Sequence, residues 1–403
     1  MLDVIIMNKR LLYLLLKLSI YSSEIFYYIL FRYKQLSINL NNCYILFNRT
    51  DRIGDAIVTL PFFLALKNKG IKFKVLCSPY NKWVLESFVD VEEIKDFKFS
   101  DFHFSLKSLL YNIISSTIGY FRKFFIEKNK NIIFIDLKGD FYLSEKFKNY
   151  YQIHFKSFLL NLKYSDYVFN DFYVFGSKMH LLEKYSMIFD NLDLDIEEFP
   201  NELKEHIINN HNKEINSLIN SLKDFIIIFV GNKEFRNLNI EQWKYLIENI
   251  NYEGNILIID DPSQNYLKRL KSIIKKENVI FLEKIYDLWS LMYLAMHSKL
   301  VVGIDGGGFN FLQMPTNAFE IILYTNEKVW RPFSRNKYQV IRKCKNHIIE
   351  KSITSQNLKK YIYYIDWEYK VVYEVLQEKN KNFINKIRID LIVEEINKIL
   401  SEL

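Results

Sequence analysis

The chain has 403 residues, which is longer than one hydrophobic core normally fills, and 49% of them are hydrophobic, so we expect two folded domains and exclude a disordered chain. The three cysteines, Cys43, Cys77 and Cys344, lie far apart and indicate neither a disulfide framework nor a metal site. The formal net charge of +8 is spread singly among acidic and amide residues, which argues against nucleic-acid binding and favours anionic substrates or an anionic membrane surface.

Residues 9–34 combine a wide apolar face with a narrow polar stripe. Arg10, Lys17 and Glu24 recur at every seventh position and therefore lie on one side of a helix. A spanning helix needs about 20 nearly uninterrupted apolar residues, which this stretch lacks. We predict that residues 1–40 form an N-terminal amphipathic helical segment that lies in a membrane interface, and packing of this helix on its own domain is the alternative.

A strand near 43–47 leads through a polar turn into a helix near 55–69. In α/β proteins, the carboxyl ends of the strands carry the chemistry. Gly54 lets a ligand approach the main chain, and Asp55 falls in the first helical turn with its carboxylate at this edge of the sheet. Asp55 is therefore a candidate catalytic group, and simple capping of the helix is the alternative.

Strands and helices alternate through the rest of the chain. The first half has predicted strands near 72–77, 95–99, 132–137 and 167–174, and helices near 80–87, 105–127 and 142–148. The second half has predicted strands near 225–230, 255–259, 279–282, 300–304 and 319–324, and helices near 240–250, 263–276, 286–297 and 308–314. This alternation predicts an α/β fold with a mostly parallel sheet in each half.

The same pattern divides the chain into domains. We predict a first Rossmann-like domain at 41–177, a helical connection at 178–222, a second Rossmann-like domain at 223–350 and a C-terminal helical tail at 351–403. Asp136 and Asp140 close one strand of the first domain and are further candidates for its edge. Asp260 or Asp261 is a candidate for a nucleotide ribose, although helix capping is the favoured interpretation.

Three consecutive glycines at 306–308 follow a predicted strand and open a helix, with Asp305 at the end of the strand. Bare backbone amides at a helix start favour an anion such as phosphate. The run lacks the remaining residues of a P-loop or a dinucleotide motif, so a tight turn is the alternative.

These two turns resemble those of glycosyltransferase family 9, the heptosyltransferases that build the lipopolysaccharide inner core from ADP-heptose. Residues 49–61 match a basic turn that ends in Gly-Asp before a helix with Thr-x-Pro. Residues 302–310 match Val-Gly-x-Asp-Thr/Ser-Gly-x-x-His, except that Gly306 and Asn310 replace the Thr/Ser and the His. In a third, eroded block, Arg236 takes the place of a lysine.

The resemblance implies a GT-B architecture of two Rossmann-like doubly wound domains facing a cleft. It implies an inverting, metal-independent transfer without a cofactor, in which Asp55 is the general base. A nucleotide-diphosphate sugar such as ADP-heptose would bind the second domain, and a lipopolysaccharide-core glycan or glycolipid would bind the first. The implied donor-binding residues are Arg236, Asp305, Gly306, Gly307, Gly308 and Asn310, and the implied acceptor-binding residues are Arg49, Arg52 and Gly54.

Together with the resemblance, the net charge of +8 and the pattern of residues 9–34 predict a bacterial cytoplasmic protein that is peripheral on the inner face of the inner membrane. Two alternatives remain open. One is an inactive binding or scaffold subunit, which the exchanges at Gly306 and Asn310 favour. The other is a transferase that uses a UDP- or GDP-sugar.

Overall fold

The computed structural model describes residues 43–95, 128–137, 141–154, 167–168, 180–231, 237–261, 265–323, 332–334, 337–365 and 387–403. The predicted N-terminal segment, the predicted helix near 105–127, Asp140 and Arg236 lie outside these residues. In the described ranges, no helix has both the length and the apolar character needed to cross a bilayer. The chain divides into two compact units, of which the first contains residues 66–173 and the second residues 194–403.

The first unit is built on a parallel sheet. Its described strands are β1 (Tyr44–Arg49), β2 (Phe73–Cys77), β3 (Val91–Glu93), β4 (Asn129–Asp136), β5 (Tyr150–His154) and β6 (Tyr167–Val168). The strand order is β3-β2-β1-β4-β5-β6, and every pairing is parallel. The described helices that connect these strands along the chain are α1 (Ile53–Asn68), α2 (Lys82–Leu85) and α3 (Phe141–Lys146). The chain reverses its direction across the sheet between β1 and β4, and ligands bind at such switch points in open α/β sheets.

The second unit has a mixed sheet. Its described strands are β7 (Phe225–Phe229), β8 (Asn255–Ile259), β9 (Val279–Phe281), β10 (Val301–Ile304), β11 (Ala318–Ile322), β12 (Gln339–Cys344), β13 (His347–Ile353) and β14 (Lys359–Ile365). The strand order is β12-β13-β14-β11-β10-β7-β8-β9. The two pairings that involve β13 are antiparallel, and the others are parallel.

Helices pack on both faces of this second sheet. The described helices from residue 181 onward are α4 (Leu181–Ser186), followed by a 3₁₀ helix (Met187–Leu192), then α5 (Asn201–Asn210), α6 (Glu214–Leu222), α7 (Ile240–Asn249), α8 (Tyr266–Lys271), α9 (Leu288–Met296), α10 (Gly307–Gln313) and α11 (Ile389–Glu402). Those that contribute to the two cores of the sheet are α6 to α11. One core joins α7, α8 and α11 to the sheet around the fully buried Trp243. A second core joins α6, α9 and α10 to the opposite face. This arrangement is the doubly wound fold that the sequence predicts.

The predicted helical tail at 351–403 is wrong over its first part. Residues of β14 pair in parallel with β11 and antiparallel with β13, so this segment continues the sheet. Its sequence, Lys-Lys-Tyr-Ile-Tyr-Tyr-Ile, is rich in aromatic and β-branched residues, which favour a strand. The helical part is confirmed for Ile389–Glu402, where Ile392 and Ile396 pack into the core of the second unit.

Candidate functional site

The loop after β2 holds the turn between β1 and α1 from one side. Asn81 Nδ2 donates to the main-chain oxygens of Arg49 and Asp51, at 2.7 and 3.1 Å. Ser78 Oγ donates to the same Asp51 oxygen at 3.2 Å, and the Ser78 amide donates to Asn81 Oδ1 at 2.9 Å. Ser78 and Asn81 are fully buried, so these bonds form away from solvent and fix the path of the turn.

A chain of polar side chains from β4 and β5 holds the same turn from the other side. Asn48 Nδ2 donates to Asp136 Oδ1 at 2.9 Å, and Asp136 Oδ2 lies 3.1 Å from His154 Nδ1. His154 Nε2 lies 3.1 Å from Gln152 Oε1, and Thr50 Oγ1 donates to Asn48 Oδ1 at 2.9 Å. All five side chains are fully buried. Asp136, a predicted edge candidate, is therefore an internal residue that supports the turn.

The two arginines with a predicted acceptor-binding role have different surroundings. Arg49 is 1% exposed, and its guanidinium forms a two-point ion pair with Asp51, with 2.7 Å between Nε and Oδ1. Such bidentate pairs fix geometry, so Arg49 supports the turn, and a direct acceptor contact would require this pair to open. Arg52 is exposed at the same turn, where it is able to meet an anionic group, and its acceptor role stays a prediction.

Asp55 lies in the first turn of α1, where the sequence places it. The helix begins with a hydrogen bond from the Ala56 amide to the Arg52 carbonyl oxygen, at 3.1 Å. The Asp55 side chain is half-buried, and the neighbouring Gly54 is buried. Asp55 is thus carried on a helix whose entry is fixed by the polar contacts on both sides, although its role as a base stays a prediction.

In the second unit, the glycine run forms the connection between β10 and α10. Asp305 follows β10, is half-buried, and donates its amide to the Ile321 oxygen at 3.1 Å. Gly306 caps α10 with φ 173° and ψ 164°, an extended conformation that any residue adopts. The backbone at this position would therefore accept the Thr or Ser of the resembled family. Gly307 and Gly308 are exposed, and α10 starts at Gly307.

Two glycines bring α10 close to the sheet. A Cβ atom on Gly308 would lie 2.5 Å from Phe229 Cζ, and one on Gly303 would lie 2.3 Å from Phe309 Cδ2. Both phenylalanines are buried. Gly308 is therefore required for helix–sheet packing, independently of any phosphate.

A buried lysine, which no motif in the sequence marked, supports the other end of α10. Lys360 is 1% exposed, and its Nζ donates to the main-chain oxygens of Gln313, Met314 and Thr316, with 3.3 and 2.6 Å to the last two. Cations stabilise the carbonyl end of a helix. Burial lowers the pKa of Lys360 to about 7, against the raising effect of Glu198 and Glu320.

Glu320 on β11 is a second buried charged residue that sequence reasoning missed. It is fully buried, and neither carboxylate oxygen has a hydrogen-bond partner among the described residues. Burial, and then the negative charge of Asp305, raise the pKa of Glu320 well above its ordinary value. The only sequence signal for both residues is a charged side chain within an apolar strand.

The remaining donor-site candidates have mixed outcomes. Asn310 is 6% exposed, and its Oδ1 has no partner in the described part of the chain. Asp260 Oδ2 accepts from the Leu267 amide at 2.9 Å, which confirms helix capping, and burial raises its pKa. Arg236 lies outside the described residues. Within those residues, no three His, Cys, Asp or Glu side chains gather as ligands for a metal.

Solved structures with a similar fold include two glycosyltransferases. A glycosyl transferase family 9 protein from Veillonella parvula DSM 2008 has a TM-score of 0.56 at 15% identity, over 91% of this chain and 99% of that one. The E. coli ADP-heptose LPS heptosyltransferase II has a TM-score of 0.50 at 12% identity, over 89% of this chain and 99% of that one. No protein-family model matches the chain, and neither does a curated protein.

At these identities the likeness concerns the fold. It spans nearly the whole length of both solved chains, so it includes both α/β units. The predicted fold class is confirmed: the chain has the two-unit Rossmann-like GT-B fold of these glycosyltransferases.

Proposed function

We propose that the protein is an inverting glycosyltransferase that moves a sugar from a nucleotide-diphosphate sugar to a hydroxyl group of a glycan or glycolipid. The observation that carries the proposal is the turn between β1 and α1, which buried polar side chains hold from both sides. A turn fixed in this way presents Asp55 at the carboxyl edge of a doubly wound sheet, where such folds place their chemistry.

Asp55 is the proposed general base. Its carboxylate takes the proton from the acceptor hydroxyl as the hydroxyl oxygen attacks the anomeric carbon, and the bond from that carbon to the diphosphate breaks. The leaving diphosphate gains negative charge, which the exposed amides of Gly307 and Gly308 and the cation of Arg236 stabilise. Asp305 accepts hydrogen bonds from sugar hydroxyls, and Arg52 meets an anionic group of the acceptor.

The proposed donor is ADP-heptose, and the proposed acceptor is the lipopolysaccharide core or a related cell-surface glycan. This choice rests on the sequence resemblance at 49–61 and 302–310 and on the family named for the similar folds. Asn310 replaces a histidine of the resembled pattern, so a UDP- or GDP-sugar is the alternative donor. An inactive scaffold is a weaker alternative, because the Asp55 turn retains its buried supports.

The proposed location is the cytoplasmic face of the bacterial inner membrane. The net charge of +8 and the pattern of residues 9–34 favour an anionic surface. A peripheral enzyme at this surface would meet a glycolipid acceptor where its headgroup is exposed.

The test is direct binding of nucleotides and nucleotide sugars. Calorimetry with ADP, UDP and GDP should identify one nucleotide that binds. Incubation with the corresponding nucleotide sugars should then identify one donor that releases its nucleoside diphosphate. Gly307→Trp should abolish that binding, whereas Tyr245→Ala, at an exposed position on α7, should leave it unchanged. Binding of none of the three nucleotides, with the chain folded, would contradict the proposal.

A further inference from the structure

The hydrogen-bond partners of the buried polar side chains in the first unit determine which of their atoms carry a proton. Gln152 Nε2 lies 2.7 Å from the Ser144 carbonyl oxygen and 2.8 Å from the Phe147 carbonyl oxygen. Carbonyl oxygens only accept, so the nitrogen of the Gln152 amide must face them. The Gln152 oxygen therefore faces His154 Nε2, and this ring nitrogen must carry a hydrogen and donate it.

The hydrogen bonds of Asn48 fix the orientation of its side-chain amide in the same way. The backbone amide of Thr50 points at Asn48 Oδ1 at 3.3 Å, and a backbone amide only donates. Asn48 Nδ2 therefore faces Asp136 and donates to Oδ1 at 2.9 Å, so this carboxylate oxygen is an acceptor.

In this set of hydrogen-bonded side chains, the contact still to be assigned joins Asp136 Oδ2 to His154 Nδ1 at 3.1 Å. Both atoms accept when unprotonated, so the contact is a hydrogen bond only if one proton lies between them. The Asn48 amide donates to the other oxygen of Asp136, and a hydrogen bond of this kind favours the ionised carboxylate, so the proton is placed on the ring nitrogen. The resulting imidazolium and carboxylate carry no net charge together, which suits a pair with both side chains fully buried.

We propose that Asp136 and His154 form a buried imidazolium–carboxylate pair that acts, through Asn48, as a positioning device for the turn that carries Asp55. The pair lies at the ends of β4 and β5, and Asn48 connects it to Thr50 at the start of the turn. The positioning part of this inference rests on the proposed function of Asp55. The protonation part does not.

The pair is tested first by NMR of the wild-type protein with ¹⁵N-labelled histidine at pH 7. Both ring nitrogens of His154 are expected to carry a proton. In Asp136→Asn, the new amide can donate to Nδ1 and still accept from Asn48, so this variant should keep the contacts and lose only the Nδ1 proton. An unprotonated Nδ1 in the wild type would overturn the proposal.

Positioning is tested by kinetics of Asp136→Asn and of the double variant Asp136→Leu/His154→Leu. The double variant removes the pair without leaving one buried charge alone. It should lower kcat on the order of ten- to a hundredfold by displacing the base, with an unchanged KM for the donor. The conservative Asp136→Asn should recover most of this loss.

The outcomes separate this inference from the proposed function. If Asp55→Asn abolishes transfer but the double variant keeps the wild-type kcat, the positioning role is wrong. A double variant that no longer binds nucleotide would show that the pair only stabilises the fold, which also contradicts positioning. If Asp55→Asn transfers normally, the proposed function fails, whereas the NMR result still decides the protonation of the pair.

Discussion

Gly308→Ala tests how the packing of α10 controls the proposed donor site. The added Cβ would lie 2.5 Å from Phe229 Cζ and 3.1 Å from Cε1, whereas carbon atoms pack best at about 3.5–4.0 Å. The phenylalanine ring has little room to move away, because the Phe229 side chain is buried in the core beneath α10. We therefore expect α10 to shift outward and to carry the amides of the glycine run with it.

The expected cost follows from two opposing terms. Overpacking of a core typically costs about 1–3 kcal/mol. Alanine is better than glycine inside a helix by about 1 kcal/mol. The net loss of stability should be about 0–2 kcal/mol, so the larger effect should fall on nucleotide affinity, since a displaced turn no longer matches the diphosphate.

Urea unfolding and calorimetry with the bound nucleoside diphosphate measure both effects. Phe229→Leu shortens the side chain under Gly308, so the double variant Gly308→Ala/Phe229→Leu should regain part of the lost affinity. Gly70→Ala is a control in the first unit, where φ is +73° and nothing lies within 4 Å of the added Cβ. It should lower stability through backbone strain without changing nucleotide affinity. Wild-type affinity in Gly308→Ala would refute the reasoning.

Three further predictions concern metal, pH and membrane. Transfer should persist in excess EDTA, and loss of activity with rescue by Mg²⁺ would show that a metal holds the diphosphate. Burial lowers the pKa of Lys360 to about 7 in the folded protein, whereas an unfolded lysine has a pKa of about 10.4. Between these two pH values the unfolded state binds more protons than the folded state. The free energy of unfolding should therefore rise with pH across this window. Urea unfolding at several pH values should give a smaller rise in Lys360→Met, and an equal rise would exclude Lys360 as its source. The full chain should sediment with anionic vesicles and be partly released by salt. Deletion of residues 9–34 should abolish this binding without unfolding the protein. Unchanged binding of the deletion variant would place the membrane contact elsewhere in the chain.

The central parallel strands were predictable because their signal is local. β7 and β10 are continuous runs without polar side chains, and so are β1 as far as Phe47 and β8 from Ile256 onward, as expected for strands buried on both faces of a sheet. β5 was not predicted, since it contains Gln152 and His154, whose burial depends on partners elsewhere in the chain. β14 was missed because two lysines open it.

In the candidate site, too, the features with a local sequence signal were predictable and those that depend on long-range contacts were not. The Gly-Asp turn and the glycine run were recognisable, because each is a short segment with its own pattern at the end of a strand. The ion pair of Arg49, by contrast, gives a charged side chain a structural role that the sequence does not distinguish from acceptor binding. Lys360 reaches the carbonyl end of α10 only because β14 pairs with β11, so its role depends on a long-range contact.

The most direct test of the account is the turnover of Asp55→Asn with the identified donor and acceptor. Asparagine keeps the size of the side chain and removes its ability to take a proton. The variant should fold and bind the nucleoside diphosphate like the wild type, and it should transfer sugar at least about a hundredfold more slowly. Wild-type turnover in Asp55→Asn would contradict the central claim that this carboxylate is the base.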